Sequence, residues 1–297
     1  MLGNGIEAFG LRDDAALLEL PGGRVLLASV DSVVEGVHVD LTLCSPGDVG
    51  WKALMGALSD LAAMGATPLA ALVALCVPGG SGEGELAMGV MSGVAEASAA
   101  ACCPVAGGDV SGGGELVVAV TVLGTVEEGG PPPVGRSGAR PGDVVLVTGP
   151  CGGSAAGLRA LRSGGEVEPA LAAAYRRPVS RLREGELARF GGAHAMIDVS
   201  DGLALDLHRL ADASGVGFEL ESAPIAPGAT RDEALGGGED YELALAAERQ
   251  TAEQLSSAFA AAGLRRPLTV GVVTEDPATR RLQGEPVARM GWQHRLG

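Results

Sequence analysis

The sequence predicts an α/β protein built from two mixed domains, and three observations support this prediction. The chain has 297 residues, 46% of them hydrophobic, and a domain usually holds roughly 100–200 residues. Strand-like and helix-like apolar patterns alternate along both halves. The segment EEGGPPPVGRSGARPGD (127–143), rich in Gly and Pro, separates them. We therefore expect one domain at 1–133 and a second at 134–297.

The first half alternates strands with helices. RVLLASVD (24–31) is aliphatic and β-branched, which predicts a strand that ends in an acid. Residues 48–66 predict a helix because apolar side chains recur there at helical spacing. The members of this stripe are Trp51, Leu54, Met55, Leu58, Leu61 and Ala62. PLAALVALCVP (68–78) and LVVAVTVLGTV (116–126) predict further strands, and a helix is expected between them near 84–101.

The second half repeats the alternation after the linker. It is expected to begin with a strand in DVVLVTG (143–149), a Gly-rich turn, a helix from about Ser154 and a helix with YRRPVSRLREG (175–185). A strand–helix junction in MIDVSDGLALD (196–206) and a turn and strand in GGGEDYELALAA (236–247) are expected next. The last expected elements are a helix near 251–262 and a strand in LTVGVVT (268–274). Two mixed α/β halves of comparable length result.

The charge balance excludes several classes of partner. Acids outnumber bases 37 to 21, and Lys52 is the only lysine. Nucleic acids and anionic membranes require clustered bases, so we expect neither as a partner. Any phosphate must then be bound by arginine, backbone amides or metal ions. The five cysteines lack a CxxC spacing and no signal peptide is indicated, so we expect a cytoplasmic protein.

Asp60 is the acid whose surroundings are most informative. On the predicted helix its neighbours three and four residues away are Gly56, Ala57, Ala63 and Met64. None of them offers charge or a hydrogen bond, and a buried acid costs several kcal/mol unless it is paired. Asp60 therefore needs a partner from elsewhere in the chain, either a bound cation or a distant arginine.

Other acids lie at the ends of predicted elements. Asp31 closes a strand, which is where ligands of α/β proteins collect. Asp13 and Asp14 are adjacent, so at most one of them can face the same point as Asp31. Alternatively, both acids lie in a solvated loop and belong to no site. Asp109 lies in AGGDVSGGG, whose glycines allow either a closely approaching ligand or an ordinary turn.

The junction 196–206 places Asp198, Ser200 and Asp201 where a buried strand meets a helix. Ser200 or Asp201 could cap that helix, which would leave Asp198 unexplained. Alternatively, the carboxylates bind a divalent metal and the helix amides bind a phosphate. Acids gathered at one point repel one another unless a cation neutralises them, and oxygen ligands suit Mg²⁺. Neither a Walker A motif nor the protein-kinase signatures occur, so an ATP-using enzyme must belong to another class.

Together these motifs resemble the thiamine-monophosphate kinase family. The matching segments are LRDDAALLE, SVDSVVEGVHVD, GWKALMGALSDLAAMGATP, AGGDV, RSGARPGDVVLVTG, MIDVSDGLALDL, GGGEDYEL and a final GW, which cover nearly the whole chain. The resemblance implies a two-domain fold like that of aminoimidazole ribonucleotide synthetase, with an N-terminal mixed sheet that pairs across a homodimer. It also implies that ATP phosphorylates thiamine monophosphate to thiamine diphosphate, with several Mg²⁺ ions between the domains.

The resemblance also implies roles for individual residues. The implied metal ligands are Asp13, Ser29, Asp31, Asp60, Asp109, Asp198 and Asp201, of which Asp31, Asp60, Asp109 and Asp201 would be catalytic. The implied ATP contacts are Ser29, Gly108, Arg136 and Ser200. His38, Glu239 and Trp292 would form the thiamine-phosphate pocket, where an aromatic face and a carboxylate suit a cationic ligand. Each of these three has a structural alternative: a strand histidine, a turn acid and a packing tryptophan.

The implied reaction needs no strong general base, because the acceptor phosphate is already deprotonated near neutral pH. In-line positioning and charge neutralisation, with Arg136 supplementing the metals, would suffice. Arg12, Val30 and Val110 depart from the family pattern. Two other functions stay open. The first is another ATP-dependent synthetase of the same superfamily, which would lack GGEDYEL with a final Trp. The second is a non-catalytic protein that binds divalent cations, in which the acids would lie in runs on the surface.

Overall fold

The computed structural model describes residues 13–21, 23–80 and 82–293. It contains two sheets, one formed within residues 16–125 and the other within 144–286. Helices pack against both sheets, so the predicted α/β class with mixed sheets is confirmed. Arg12 lies outside the described residues, and the domain boundary at 133/134 stays a prediction.

The first sheet has five strands in the order β1-β2-β5-β3-β4. They are β1 Ala16–Glu19, β2 Val25–Val34, β3 Thr67–Pro78, β4 Val105–Gly113 and β5 Val117–Thr125. β3 and β4 pair in parallel, and the other neighbours are antiparallel. Helices α1 (Pro46–Ala63) and α2 (Glu83–Ala101) share one core with this sheet. On the opposite face Val30 and Leu72 are 65% and 42% exposed.

Helices α1 and α2 approach each other through glycines. A Cβ atom at Gly50 would lie 1.9 Å from the Val90 carbonyl oxygen, and one at Gly93 would lie 1.8 Å from that of Gly47. Both distances are far below van der Waals contact, so only glycine permits this approach. The glycines therefore determine how closely α1 packs against its neighbour.

The second sheet has seven strands in the order β12-β11-β8-β10-β6-β9-β7. They are β6 Val144–Val147, β7 Ala195–Val199, β8 Gly217–Leu220, β9 Glu242–Ala247, β10 Leu268–Thr274, β11 Arg280–Leu282 and β12 Glu285–Pro286. The helices of this half are α3 Gly153–Arg162, α4 Pro169–Arg176, α5 Leu182–Gly191, α6 Leu203–Ser214, α7 Arg231–Gly236 and α8 Arg249–Ala261. Within the described ranges, no helix combines the length and apolarity needed to cross a membrane.

Helices cover both faces of the second sheet. In β6, Val145 and Val147 pack into the core that contains α6. Val144 and Leu146 point the other way, into a core with α5 and α8. A strand buried on both faces needs apolar residues at every position, which explains the uninterrupted apolar sequence of β6.

The two halves make direct contact through α5. A Cβ atom at Gly185 would lie 2.0 Å from the Ala62 carbonyl oxygen, so α5 packs closely against the end of α1. The buried Arg189 donates hydrogen bonds to the carbonyl oxygens of Gly65 (2.8 Å) and Pro131 (2.6 Å). These contacts hold the first half against the second and leave a cleft beside α1.

Three predicted segments differ in the structure. Strand β2 continues to Val34, so Asp31 lies within the strand and does not close it, because pairing with β5 extends over these residues. The glycine-rich segment around Asp109 forms strand β4, because its small residues allow close parallel pairing with β3. The helix expected across 175–185 is interrupted between α4 and α5. Arg177 precedes a proline, which disfavours helical backbone, and it adopts φ −134° and ψ 64°. The short strands β1, β8, β11 and β12 were not predicted.

Two glycines of α2 should respond oppositely to alanine substitution. We expect Gly93→Ala to lower the free energy of unfolding by about 3 kcal/mol, because the new methyl group meets backbone. Gly84→Ala is the control: open space surrounds that position, and alanine stabilises a helix by up to about 1 kcal/mol relative to glycine. Urea unfolding of both variants measures the difference, and equal destabilisation would contradict the glycine-mediated packing.

Candidate active site

Three carboxylates from distant parts of the sequence meet beside α1. One carboxylate oxygen from each of Asp14, Asp60 and Asp198 lies within 4.8 Å of the other two. Asp14 precedes β1, Asp60 lies on α1, and Asp198 lies on β7. We call these three residues the acid cluster. The cluster contains residues from both halves of the chain.

Hydroxyl groups hold two members of the acid cluster in place. The Ser29 hydroxyl donates a hydrogen bond to Asp60. Ser59 Oγ donates to Asp198 Oδ2 at 2.7 Å, and Ser200 Oγ donates to Asp198 Oδ1 at 3.3 Å. Ser29 and Ser200 were predicted for this site, whereas Ser59 was not. Ser59 precedes Asp60 on α1, which brings its hydroxyl within reach of β7.

Burial and mutual repulsion raise the pKa of every acid in the cluster. Burial, followed by the charge of Asp198, raises the pKa of Asp14 to about 7. Burial and the charge of Asp206 raise the pKa of Asp198 to about 6. The pKa of Asp60 rises well above its ordinary value, again through burial and then Asp198, although Ser29 opposes the shift. A nearby cation would relieve this repulsion.

The donor set of the acid cluster fits a hard divalent cation. Its ligand atoms are all carboxylate oxygens, the type that Mg²⁺ prefers. Asp14 Oδ2 is buried and has no hydrogen-bond partner among the described residues. A buried anionic oxygen without a partner is costly, and a bound cation would satisfy it. Asp14, Asp60 and Asp198 could therefore hold Mg²⁺.

The two adjacent acids near the start of the described chain have different neighbours. Asp13 Oδ1 accepts a hydrogen bond from the Arg136 backbone N–H at 2.7 Å. Asp14 instead pairs with the Arg136 guanidinium at 2.6 Å and belongs to the acid cluster. The sequence predicts a metal ligand at Asp13, whereas the structure places Asp14 in the acid cluster. Arg136, expected to contact ATP, therefore has acidic partners in both residues.

Asp31 and Asp201, also predicted as ligands, line a pocket next to the acid cluster. Asp31 Oδ1 accepts a hydrogen bond from the Ser32 backbone N–H at 2.7 Å, and burial raises its pKa. Asp201 Oδ2 pairs with Arg209 Nη1 at 2.6 Å. Both acids are thus close to the cluster residues without belonging to that group of three.

The start of α6 is capped from within the helix. Neither Ser200 nor Asp201 caps it, so that expectation is wrong; the N-cap residue is Gly202, with φ +128°. Asp206 Oδ2 accepts hydrogen bonds from the backbone N–H groups of Asp201 and Gly202, both at 3.0 Å. These amides were expected to be open to phosphate. Burial raises the pKa of Asp206 to about 7, and Arg209 opposes the shift.

Asp109 and Gly108 lie apart from the acid cluster. In the first sheet Asp31 is in register with Val120, then Val73, then Gly108, three strand spacings or about 14 Å away. Side chains alternate along a strand, so Asp109 points to the opposite face of the sheet from Asp31. A Cβ atom at Gly108 would lie 1.9 Å from the Val73 carbonyl oxygen, so strand pairing alone requires glycine there.

The acid cluster opens into a pocket of about 360 Å³ between the two halves. Its walls include two cluster residues, Asp60 and Asp198. They also include all three residues predicted for the substrate, which are His38, Glu239 and Trp292. Further lining residues that sequence reasoning did not single out are Ser154, Leu158, Arg162, Tyr175 and Tyr241. The structure therefore brings four of the seven predicted metal ligands, Asp31, Asp60, Asp198 and Asp201, to one cavity with the three predicted substrate residues.

His38 and Trp292 approach the pocket from opposite ends of the chain. His38 Nδ1 accepts a hydrogen bond from the Val34 backbone N–H at 3.1 Å, in the turn that follows β2. Trp292 donates its backbone N–H to the Asp201 carbonyl oxygen at 2.8 Å and is 49% exposed. A Cβ atom at Gly291 would lie 2.8 Å from that same oxygen, so glycine before Trp292 permits the contact.

Glu239 enters the pocket from a strained turn. Glu239 and Tyr241 have φ values of +65° and +50°, which are uncommon outside glycine and cluster at functional sites. Glu239 Oε2 lies 2.6 Å from Lys52 Nζ on α1. Sequence reasoning missed this role of Lys52. The available signal was that the only lysine of an acidic chain lies on a helix made mostly of apolar residues.

The two halves of the chain each match a known domain family. Residues 12–126 match the AIR synthase related protein, N-terminal domain, and residues 140–282 match the C-terminal domain of the same family. The thiamine-monophosphate kinase of Bacillus subtilis (strain 168) is 38% identical over 284 residues, which cover 90% of this chain and 85% of that protein. That of Halobacterium salinarum is 36% identical and covers 95% and 100%.

Solved structures agree with these relatives. "AaThiL complexed with AMPPCP and TMP" superposes with a TM-score of 0.81 at 32% identity, covering 97% of this chain and 92% of that one. Thiamine-monophosphate kinase from Stenotrophomonas maltophilia K279a gives a TM-score of 0.80 at 32% identity with the same coverage. E. coli HypE, a hydrogenase maturation protein, is 22% identical with a TM-score of 0.73 and shares the fold. The chain therefore belongs to the AIR synthase related protein family, in the group that contains the thiamine-monophosphate kinases.

Proposed function

We propose that this protein transfers the γ-phosphoryl group of ATP to thiamine monophosphate and forms thiamine diphosphate. The main observation behind this proposal is that the acid cluster and the residues predicted for the substrate line one pocket. Relatives named thiamine-monophosphate kinase match most of the chain, and a solved relative was complexed with AMPPCP and TMP. The free cysteines and the nucleotide co-substrate favour a cytoplasmic location.

In the proposed reaction the acid cluster binds Mg²⁺. Asp14, Asp60 and Asp198 would hold the metal, and Asp31 and Asp201 are close enough to the pocket to supply further ligands. Bound Mg²⁺ would neutralise charge on the transferring phosphoryl group. An oxygen of the acceptor phosphate is the nucleophile and is ionised near neutral pH, so the chain's contribution is to position the two phosphates in line and to exclude water.

The pocket residues suit the cationic ring system of the acceptor. The exposed Trp292 offers an aromatic face for stacking or cation–π attraction, and Glu239 offers a carboxylate. His38 lies on the same wall. We assign these three residues to the thiamine end of the substrate, and Arg136 and Ser200 to the ATP end. The ATP end adjoins the acid cluster, because Arg136 pairs with Asp14 and Ser200 donates to Asp198.

We also propose a homodimer that forms through the open face of the first sheet. Val30 and Leu72 share this face through their common register with Thr121, and both are exposed. Asp109 lies on the same face, in register with Ala74, two residues after Leu72. A partner sheet would cover these apolar side chains, whose exposure is costly in water. Asp109 would then act at the subunit interface.

Phosphorus NMR tests the proposed activity directly. With Mg²⁺, ATP and thiamine monophosphate, we expect the signals of thiamine diphosphate and ADP to grow together in equal amounts. Chelation of the metal with EDTA should stop both, because the acid cluster would then leave the phosphates without charge neutralisation. ADP that appears without thiamine diphosphate would indicate another ATP-dependent reaction, and no reaction at all would contradict the proposed function.

Neighbouring acids provide a matched pair of variants for the metal site. We expect Asp14→Asn to lower kcat about 100-fold or more, because it removes a charged ligand that stabilises the transition state by several kcal/mol. Asp13→Asn should lower kcat less than about fivefold, since an amide oxygen can still accept the Arg136 N–H bond. Steady-state assays at saturating Mg²⁺ compare the two variants. The reverse order would place the metal on Asp13.

The dimer interface is tested by charge placed on the open face. We expect Leu72→Glu to convert a dimer into a monomer, because it would bury an unpaired carboxylate between two sheets. Met88→Glu is the control, since Met88 is 73% exposed on α2. Light scattering after size-exclusion chromatography measures both masses. An unchanged dimer in Leu72→Glu would exclude this face as the interface.

A further inference from the structure

Lys52 is a buried cation at the wall of the substrate pocket. It is the only lysine of the chain and is 1% exposed. Its Nζ lies 2.6 Å from Glu239 Oε2, 3.5 Å from the His38 carbonyl oxygen and 4.0 Å from the centre of the Tyr175 ring. A buried ammonium group is costly unless it is paired, and here a carboxylate, a carbonyl oxygen and an aromatic face surround it.

The partner carboxylate is fixed by backbone as well as by Lys52. The Glu239 N–H donates to the Ser200 carbonyl oxygen at 2.7 Å, and the Tyr241 N–H donates to the Val199 carbonyl oxygen at 2.9 Å. These bonds hold both residues in left-handed backbone and attach the turn to the end of β7. The turn therefore moves with the strand that carries Asp198.

The two side chains of the Lys52–Glu239 ion pair differ in how exposed they are. The Glu239 side chain is 24% exposed, whereas that of Lys52 is 1% exposed. The carboxylate therefore faces the cavity and the ammonium group lies behind it, over the Tyr175 ring. A cation that enters the pocket meets the acid first.

Lys52 is also eight residues before Asp60 on α1, about 12 Å along the helix axis, so a single helix supports both the acid cluster and this pair.

We propose that Lys52 is a positioning residue that fixes the Glu239 carboxylate, ionised and correctly oriented, to receive the cationic heteroaromatic ring of the substrate. This inference rests on the proposed function and extends it to substrate selection. The Glu239 carboxylate lines the pocket, and replacing a purely structural ion pair with apolar groups is often neutral for stability. Lys52 thus acts on the substrate through Glu239.

A double-mutant cycle separates positioning from folding. We expect Lys52→Met, which keeps the stem and removes the charge, to raise KM for thiamine monophosphate about tenfold and to change KM for ATP less than twofold. Glu239→Gln should have a similar effect. The double variant Lys52→Met/Glu239→Gln should resemble Glu239→Gln alone, because Lys52 acts through that side chain. Equal changes in both KM values, or effects that multiply, would overturn the proposal.

The wild-type protein offers a second test that does not depend on whether the variants fold. Lysine labelled with ¹³C at Cε gives a single side-chain NMR signal, because Lys52 is the only lysine. We expect thiamine monophosphate to shift this signal, and AMPPCP with Mg²⁺ to leave it in place. If the wild type forms thiamine diphosphate but the signal does not move, the role of Lys52 is wrong and the proposed function stands. If the wild type forms no thiamine diphosphate, the proposed function fails.

Discussion

The repulsion among three buried carboxylates is the constraint around which the rest of the structure is arranged. Asp14 precedes β1, Asp60 lies on α1 and Asp198 lies on β7, and burial together with neighbouring negative charge raises the pKa of each. The chain opposes this repulsion with hydroxyl donors and with the Arg136 guanidinium. Such partners are too few for three buried charges, and Asp14 Oδ2 has no hydrogen-bond partner in the part of the chain that the structure describes. The fold thus holds together buried carboxylates that repel one another, and a bound divalent cation would stabilise this arrangement.

Helix α1 carries one residue of the acid cluster and packs against both halves of the molecule. Lys52, Gly56, Ser59 and Asp60 follow the spacing i, i+4, i+7 and i+8, so they share one face, which lies along the cleft. A side chain at Gly56 would meet the Tyr241 hydroxyl and Asp31, so glycine keeps the cleft open. The other faces of α1 are apolar and pack against α2 and both sheets. A helix buried on nearly all sides cannot tilt without disturbing both halves, and its polar residues are held correspondingly firmly.

Sequence reasoning succeeded where local pattern determines structure. The apolar neighbours of Asp60 were enough to predict a partner from elsewhere, and the structure supplies Ser29 and two further acids. It failed where contacts join distant segments. Nothing local distinguishes Asp13 from Asp14, because the difference depends on which of them meets the Arg136 backbone N–H and which its guanidinium, more than 120 residues later. Asp206 is similar: its position in the first turn of α6 gives no sign that its carboxylate bonds back to the N–H groups of the preceding residues.

The helix N-termini that border the pocket bear on how phosphates would be bound in the proposed reaction. Exposed amides at a helix start normally attract anions. At α6, however, Asp206 already occupies the amides. At α3, Asp240 accepts from the backbone N–H groups of Gly152 at 2.5 Å and Ser154 at 3.1 Å. With both helix starts satisfied by the protein's own carboxylates, a polyphosphate gains little there. The only lysine is already paired with Glu239, so in the proposed reaction the phosphate charge would be balanced by cations at the acid cluster and by arginines such as Arg136 and the pocket-lining Arg162.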